Sequence, residues 1–400
     1  MTLHVIGAGL SGLACALAAA DAGIDVAVHE AAKQAGGRCR SWDDAVIGAR
    51  IDNGTHVVVG GNPAAMAYLD RIGSHDTLRA LPLMPTVFDL ADGTIWRPSM
   101  TTLLSAVVSS FWTFGLADGG SVTDRIGRSR DFRFIWEPLA VATLNTDAAR
   151  ASAALFRAVL KNTLWRGMAA ARMHVAGGDL TASFVTPAVR TLQAKGVSLN
   201  LGHALREPVL RDGRIAELVF DDATIVLGRN DAVVFAVPWW TASKWLRLSE
   251  LPDSPIVNIH YRVKTPPAAL ADHEALGVVG GVAQWIFRRG NILAVTVSAA
   301  ASLDEKSNDE IAATIWAEVA RALDLEGEPE AVRVVKEKRA TLLHTRDTEA
   351  LRPGRRQGEN LFLAGDWTAT GLPCTIESAI RSGNAAAADA VTLLRDRRAA

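Results

Sequence analysis

Residues 4–12, HVIGAGLSG, constrain the fold of this chain more than any other stretch. An apolar strand ending at Ile6 runs into Gly7-Ala8-Gly9-Leu10-Ser11-Gly12. An alanine-rich helix follows, and a second strand, Asp25 to His29, ends on Glu30. Strand, glycine turn, helix and strand together make a βαβ unit of the dinucleotide-binding kind. Gly7 permits the tight turn, Gly9 lets backbone N–H groups approach a pyrophosphate, and Gly12 lets the helix lie close on the sheet. Leu10 and Ser11 open that helix, whose first N–H groups and positive dipole end face the phosphates. Glu30 stands roughly 20 residues past the turn, where a carboxylate accepts the ribose hydroxyls of an adenosine.

Gly36-Gly37-Arg38 follows closely. It forms a second glycine turn able to face the same diphosphate, with a guanidinium to neutralise it. This extension resembles the flavoprotein version of the fold, in the amine oxidase and carotenoid desaturase superfamily, and makes FAD the expected cofactor. Near the other end, Asn360 to Ala364 reads as a short strand meeting Gly365-Asp366, then a loop, then a helix from about Thr375. The resemblance implies that Gly365 and Asp366 meet the diphosphate and ribitol. It also implies that Thr375 and Ile376 begin a helix whose positive end faces the pyrimidine edge of the flavin. By the same resemblance the backbone near Leu205 meets the adenine, and the turn Gly54-Thr55-His56 approaches the isoalloxazine.

The cofactor site therefore draws on both ends of the chain, and the substrate region must be inserted between them. The expected fold class is α/β. A Rossmann-like FAD-binding domain is assembled from residues 1–85, 180–255 and 346–400, and an inserted α+β substrate domain from 86–179 and 256–345. Asp231 to Pro238 reads as a buried parallel strand. Val87 to Trp96 reads as a hairpin across Asp92-Gly93, and Asp309 to Leu323 as a helix.

Composition limits the function classes. A net charge of −1 gives no basic field for nucleic acid. Three cysteines, Cys15, Cys39 and Cys374, match no metal spacing or disulfide framework. The chain starts directly in a strand with no leader pattern, and its longest apolar run, Leu103 to Ala117, falls short of the roughly 20 residues that span a bilayer. A cytoplasmic protein is expected, possibly peripheral on the inner face of the cell membrane.

Three further blocks narrow the resemblance: Arg50-Ile-Asp-Asn-Gly-Thr-His56, Trp136-Glu-Pro-Leu-Ala-Val-Ala-Thr-Leu-Asn-Thr146, and Gly365-Asp-Trp-Thr-Ala-Thr-Gly-Leu-Pro-Cys-Thr-Ile-Glu377. With Ala151 to Phe156 they resemble the squalene-associated FAD-dependent hydroxysqualene dehydroxylases. The resemblance implies reductive loss of a hydroxyl from an isoprenoid lipid, an electron donor that the residues do not name, and contact with upstream squalene-pathway synthases or a membrane. The alternatives are an oxidative carotenoid desaturase, an amine oxidase and a non-catalytic lipid-binding flavoprotein. Two tyrosines, Tyr68 and Tyr261, are too few for an aromatic cage around an amine.

Hydroxide is a poor leaving group, so the departing oxygen needs an acid. His56 is one candidate, titrating near neutral pH, or it only bonds backbone at a strand start. Asp52 is either its partner or a turn acid. Glu137 serves if an apolar pocket raises its pKa, or it simply opens a helix before Pro138. Trp285 and Phe287 alternate along an apolar strand and, with Leu372, are expected to line the substrate pocket or the core. A thirty-carbon chain gains on the order of 20 kcal/mol on leaving water, at roughly 0.8 kcal/mol per CH₂. An interfacial patch is therefore expected at Leu103 to Ala117 or at Trp239-Trp240 to Arg247.

Overall fold

The computed structural model describes residues 1–83, 86–115, 119–127 and 132–399. At its centre β1 (Thr2–Ile6) pairs on one side with β2 (Asp25–Glu30) and on the other with Ala232–Phe235. Ser198–Leu201 and Leu361–Leu363 complete a five-stranded sheet in which every pairing is parallel. Strands covered on both faces carry continuous apolar runs, and all four residues of Ala232–Phe235 are buried. The helix α1 (Leu10–Asp21) and the last helix, Ile376–Ala399, pack together over this sheet. Their approach is backbone to backbone: a Cβ on Gly383 would stand 2.1 Å from the Ser11 carbonyl oxygen. A Cβ on Gly12 would likewise stand 1.9 Å from the carbonyl oxygen of Gly7. The fold is α/β with a Rossmann-like sheet.

A second sheet of seven strands runs in the order Ala331–Leu342, Asp253–Arg262, Ile292–Val297, Trp285–Arg289, Ala275–Val279, Thr86–Asp89, Ile95–Trp96. The helix Asn308–Leu323 covers one of its faces, with Trp316 against Tyr261 at 5.1 Å between ring centroids. A capping box between Ser307 and Glu310 starts that helix. The expected hairpin across Asp92-Gly93 is present, with Val87 opposite Trp96. Three short strands, Val57–Val59, Met173–Ala176 and Leu78–Ala80, form a third sheet, so the proposed division at residues 85 and 179 passes between paired strands. Phe114, Trp136 and Phe156 centre a separate helical core. No described helix is long and apolar enough to cross a membrane.

One buried chain of histidines crosses the parallel sheet. His4 Nδ1 lies 3.3 Å from His29 Nε2, His29 Nδ1 lies 2.9 Å from His203 Nδ1, and His203 Nε2 lies 3.0 Å from Asp222. With neutral His29 donating through Nδ1, His203 accepts at Nδ1 and donates to Asp222, and His4 donates to His29. Burial, and then its two neighbours, push the His29 pKa down to about 3. An unfolded histidine titrates near 6.5, so between these values the unfolded chain binds the extra proton. Stability contributed by neutral His29 is present above pH 6.5 and is lost as pH falls toward 3. The melting temperature of the wild type should therefore drop steadily on acidification below pH 6.5, and His29→Asn should flatten that slope. An unchanged slope in the variant would show that His29 is not the titrating group.

Candidate active site

The two early glycine turns meet at the C-terminal edge of the parallel sheet. Gly9 and Gly36 form an isolated parallel bridge, and the Gly36 N–H donates to the Ala8 carbonyl at 2.8 Å. Gly37 has φ +59°, and a Cβ there would stand 3.3 Å from the Gly9 Cα. Gly9 differs from both. Its φ of −72° suits any residue, and a Cβ there would meet nothing within 4 Å. It caps α1 without a side-chain hydrogen bond, so the first N–H groups of the helix have no side-chain cap. Neither backbone nor packing explains a glycine here; a ligand in that space does.

Glu30 pins the same turn. Its Oε2 accepts from the Ala8 N–H at 2.7 Å and its Oε1 from the Ala32 N–H at 2.8 Å. Beside it the His203 N–H donates to the Glu30 carbonyl at 2.8 Å, which leads the chain to buried Leu205 at the head of its strand. At the other end of the cradle, Arg38 holds Asp366 through two bonds of 2.7 and 2.8 Å and also donates to the Ala340 carbonyl. Burial disfavours the guanidinium charge, and the Asp366 carboxylate more than restores it. The neighbouring Gly365 N–H donates to Ser382 Oγ at 3.0 Å. One ion pair thus joins the two glycine-marked blocks from opposite ends of the chain.

This pair lines a cleft together with Trp239, Trp240, Trp367 and Cys374. The indoles of Trp239 and Trp240 turn inward, which overturns their reading as a membrane patch. Trp239 Nε1 donates to Asp253 at 2.8 Å, and Arg339 stacks over Trp240 at 5.0 Å. Trp245 packs on Phe235 at 5.1 Å and donates to the Arg206 carbonyl at 3.1 Å. Only Lys244 and Arg247 of that stretch are exposed among its cations and indoles. Position could have revealed this: Trp239 follows the C-terminal end of a parallel strand, where α/β sheets place their ligands.

A second, larger cleft is lined by Thr55, His56, Leu180, His260 and Phe287. The turn before His56 is pressed onto the seven-stranded sheet: a Cβ on Gly54 would stand 2.6 Å from Asn258 Nδ2, which donates to the Asn53 carbonyl at 3.1 Å. Burial lowers the His56 pKa, opposed by Asp52 on one side and touched by the Arg38 and Asp366 charges on the other. His56 therefore lines this cleft and feels the charges of Arg38 and Asp366, which line the other.

The chain matches the flavin containing amine oxidoreductase family model over residues 10–391. It belongs to the flavin-containing amine oxidoreductases. It is 38% identical to hydroxysqualene dehydroxylase of Rhodopseudomonas palustris, over 96% of this chain and 97% of that one. It is 36% identical to hydroxysqualene dehydroxylase of Zymomonas mobilis with the same coverage. A 15-cis-phytoene desaturase of Solanum lycopersicum is more distant, at 23% identity over 96% of this chain and 76% of that one. Among solved structures, a putrescine oxidase double mutant superposes with a TM-score of 0.72 at 21% identity, covering 98% of this chain and 100% of that one. Cyclohexylamine oxidase from Brevibacterium oxydans gives 0.72 at 14%, covering 98% and 99%. These structures share the fold.

FAD is the cofactor of this flavoenzyme, and the residues present fit it. The open space before Gly9, the uncapped start of α1, the Glu30 carboxylate and the Arg38 guanidinium supply the donors and room a dinucleotide requires. Gly9→Ala should leave the apoprotein folded, because a Cβ there meets nothing within 4 Å, yet weaken FAD binding at least tenfold. Fluorescence titration of apoprotein with FAD measures this, and unaltered affinity would remove Gly9 from the cofactor site.

Several expected site residues lie elsewhere or are otherwise engaged. Asp52 acts on His56 through its charge and makes no hydrogen bond to it: its Oδ1 accepts from Ser41 Oγ at 2.6 Å and the Leu180 N–H at 3.0 Å, and its Oδ2 faces Arg289 at 3.2 Å. Glu137 is exposed at the start of Glu137–Leu144 and does not sit in an apolar pocket. Trp285 sits against the neighbouring strand at Gly277, while Phe287, two residues on, reaches the cleft. Leu372 is buried in its loop, where its carbonyl accepts from Arg352 at 2.7 Å, and it lines neither cleft. Thr375 Oγ1 accepts from the Ser378 N–H at 3.2 Å, just before the helix that begins at Ile376.

The sequence reading missed a buried knot behind Asp366. Arg352 donates to the Thr368, Leu372 and Asp366 carbonyls at 2.9, 2.7 and 2.6 Å, and to Glu349 at 2.7 Å. His344 Nδ1 donates to Glu349 at 2.6 Å, and its Nε2 accepts from the Cys374 N–H at 2.9 Å. Burial opposes the Glu349 charge, and bonds from His344 with the Arg352 charge bring its pKa below the usual carboxylate value. His260, whose Nε2 donates to the Asp52 carbonyl at 3.0 Å, was missed as well. Neither residue stands in a local pattern; each reaches the site only through the long-range sheet.

Proposed function

We propose that this flavoenzyme removes the hydroxyl of hydroxysqualene reductively, giving squalene and water. The observation that carries the reading is the near full-length 38% identity to hydroxysqualene dehydroxylase. The phytoene desaturases that represent the oxidative alternative stand much further off, at 23%. Reduced FAD, when bound, supplies the hydride that replaces the departing oxygen at carbon.

His56 supports the other half of the reaction. It lines the larger, partly apolar cleft, where the charges of the Arg38–Asp366 pair act on it. There it donates a proton to the hydroxyl oxygen, which leaves as water rather than hydroxide. Asp52, locked by Ser41 and Arg289, holds a fixed negative charge near the imidazole and favours its protonated form. Leu180 and Phe287 present apolar surface to the carbon from which the oxygen departs, and exclude the water that would capture a developing cation. No tyrosine lines either cleft among the described residues: Tyr68 and Tyr261 are buried and donate to the carbonyls of Phe184 and Ala312.

The test is anaerobic incubation of FAD-reduced enzyme with detergent-dispersed hydroxysqualene, followed by product analysis. Squalene should form with stoichiometric oxidation of the flavin. Absence of squalene, with turnover of a carotenoid precursor by the oxidised enzyme, would replace this reading with the desaturase.

A further inference from the structure

We infer that the helix Met100–Gly115 docks this enzyme on an anionic lipid bilayer, lying in the plane of the interface. The inference rests on the proposed hydrocarbon substrate for its purpose, but on the surface itself for its evidence. Six of the twelve exposed large apolar side chains among the described residues fall between Ile95 and Trp112. Within the helix they keep one side: Met100, Leu104, Val108 and Trp112 recur every four residues and form a single stripe. Trp112 is 77% exposed, while Ala106, Ser110 and Phe114 face inward. A stripe of this size on one helix marks an interaction surface, not a scatter of surface apolar residues. The last two residues of the expected apolar run, Leu116 and Ala117, lie outside the described residues.

Charge selects the occupant. The helix carries no ionisable residue; of the segments packed beside it, Val122–Ile126 holds one acid and one base, Asp124 and Arg125, and residues 153–176 hold Arg157, Lys161, Arg166 and Arg172 with no Asp or Glu. Trp165 joins the two: its ring stacks on Phe111 at 4.5 Å and its Nε1 donates to Ser110 Oγ at 2.8 Å. Lys161, Arg166 and Arg172 are exposed next to it. An apolar stripe with an interfacial indole and a cationic rim matches anionic headgroups over acyl chains. The surface also leads to the chemistry. Met168–Ala171 passes through Arg172 into Met173–Ala176, whose Val175 and Ala176 line the cleft of His56.

The test is flotation of the FAD-loaded enzyme with vesicles of phosphatidylcholine containing 30% phosphatidylglycerol, and with phosphatidylcholine alone. The wild type should float with the anionic vesicles and far less with the neutral ones. Leu104→Ser/Val108→Ser/Trp112→Ser should cut the bound fraction at least tenfold at an unchanged melting temperature. Lys161→Glu/Arg166→Glu should remove the preference for phosphatidylglycerol. A wild type that stays in solution, or a triple variant that floats equally well, would overturn the docking. So would a wild-type dimer that the triple substitution converts to a monomer without altering flotation, since the stripe then covers a second copy. Detergent-dispersed substrate separates the two readings. Squalene formation without flotation sinks the docking alone, and flotation without squalene sinks the reaction alone.

Discussion

His56→Gln should lower squalene formation by about 10² to 10⁴-fold, the range expected when a positioned proton donor is lost. FAD content and melting temperature should stay near wild type, because no hydrogen bond of the fold depends on that side chain among the described residues. The pH dependence is the sharper readout. Burial depresses the His56 pKa, so the charged acid form is scarce at pH 7 and grows below the ordinary imidazole value of about 6.5. Wild-type kcat should therefore rise as pH falls from 8 through 6, with its midpoint below 6.5. In the glutamine variant the residual rate should be flat over that range. A variant that keeps the wild-type profile would assign the proton to another group.

Arg352→Met should be the most destabilising single change considered. It leaves the buried Glu349 carboxylate with His344 as its remaining partner and strips the donor from three carbonyls. Breaking a buried ion pair from one side costs about 3–5 kcal/mol. Denaturant unfolding monitored by tryptophan fluorescence measures this. Adding Glu349→Gln to Arg352→Met should recover a substantial part of the loss, because the uncompensated charge is gone. If the double variant is as unstable as the sum of the singles, the coupling assigned to this pair is absent. FAD affinity should fall in parallel, since the same guanidinium holds the Asp366 carbonyl and the loop that follows it.

The parts of this molecule that are read by local pattern were legible in the chain. The GAGLSG turn, the helix Asn308–Leu323 and the hairpin at Asp92-Gly93 depend on neighbours within a few residues. Pairing of residues far apart was legible only where both partners carried their own marks, as Gly37-Arg38 and Gly365-Asp366 do. The surroundings of Asp52 were not legible because Ser41, Leu180 and Arg289, which hold its carboxylate, come from other elements of the fold. The tryptophans show the same limit. Indoles next to cations suit either a bilayer or a cleft, and Trp239 and Trp112 went opposite ways because one follows a parallel strand and the other sits on the outer side of a helix.

The Arg38–Asp366 pair has a consequence for how the protein is made. During synthesis the βαβ unit of β1, α1 and β2 leaves the ribosome well before the strand Leu361–Leu363 and the helix that covers α1, with the whole middle of the chain between them. Until then the apolar flank of α1 and one sheet neighbour have no cover, and a nascent chain offers FAD half a cradle. Contacts so far apart along the chain fold slowly and leave sticky surface exposed meanwhile. Chaperone demand should persist, and cofactor capture should wait, until the segment after Leu361 has emerged and the two halves of the cradle first coexist in one chain.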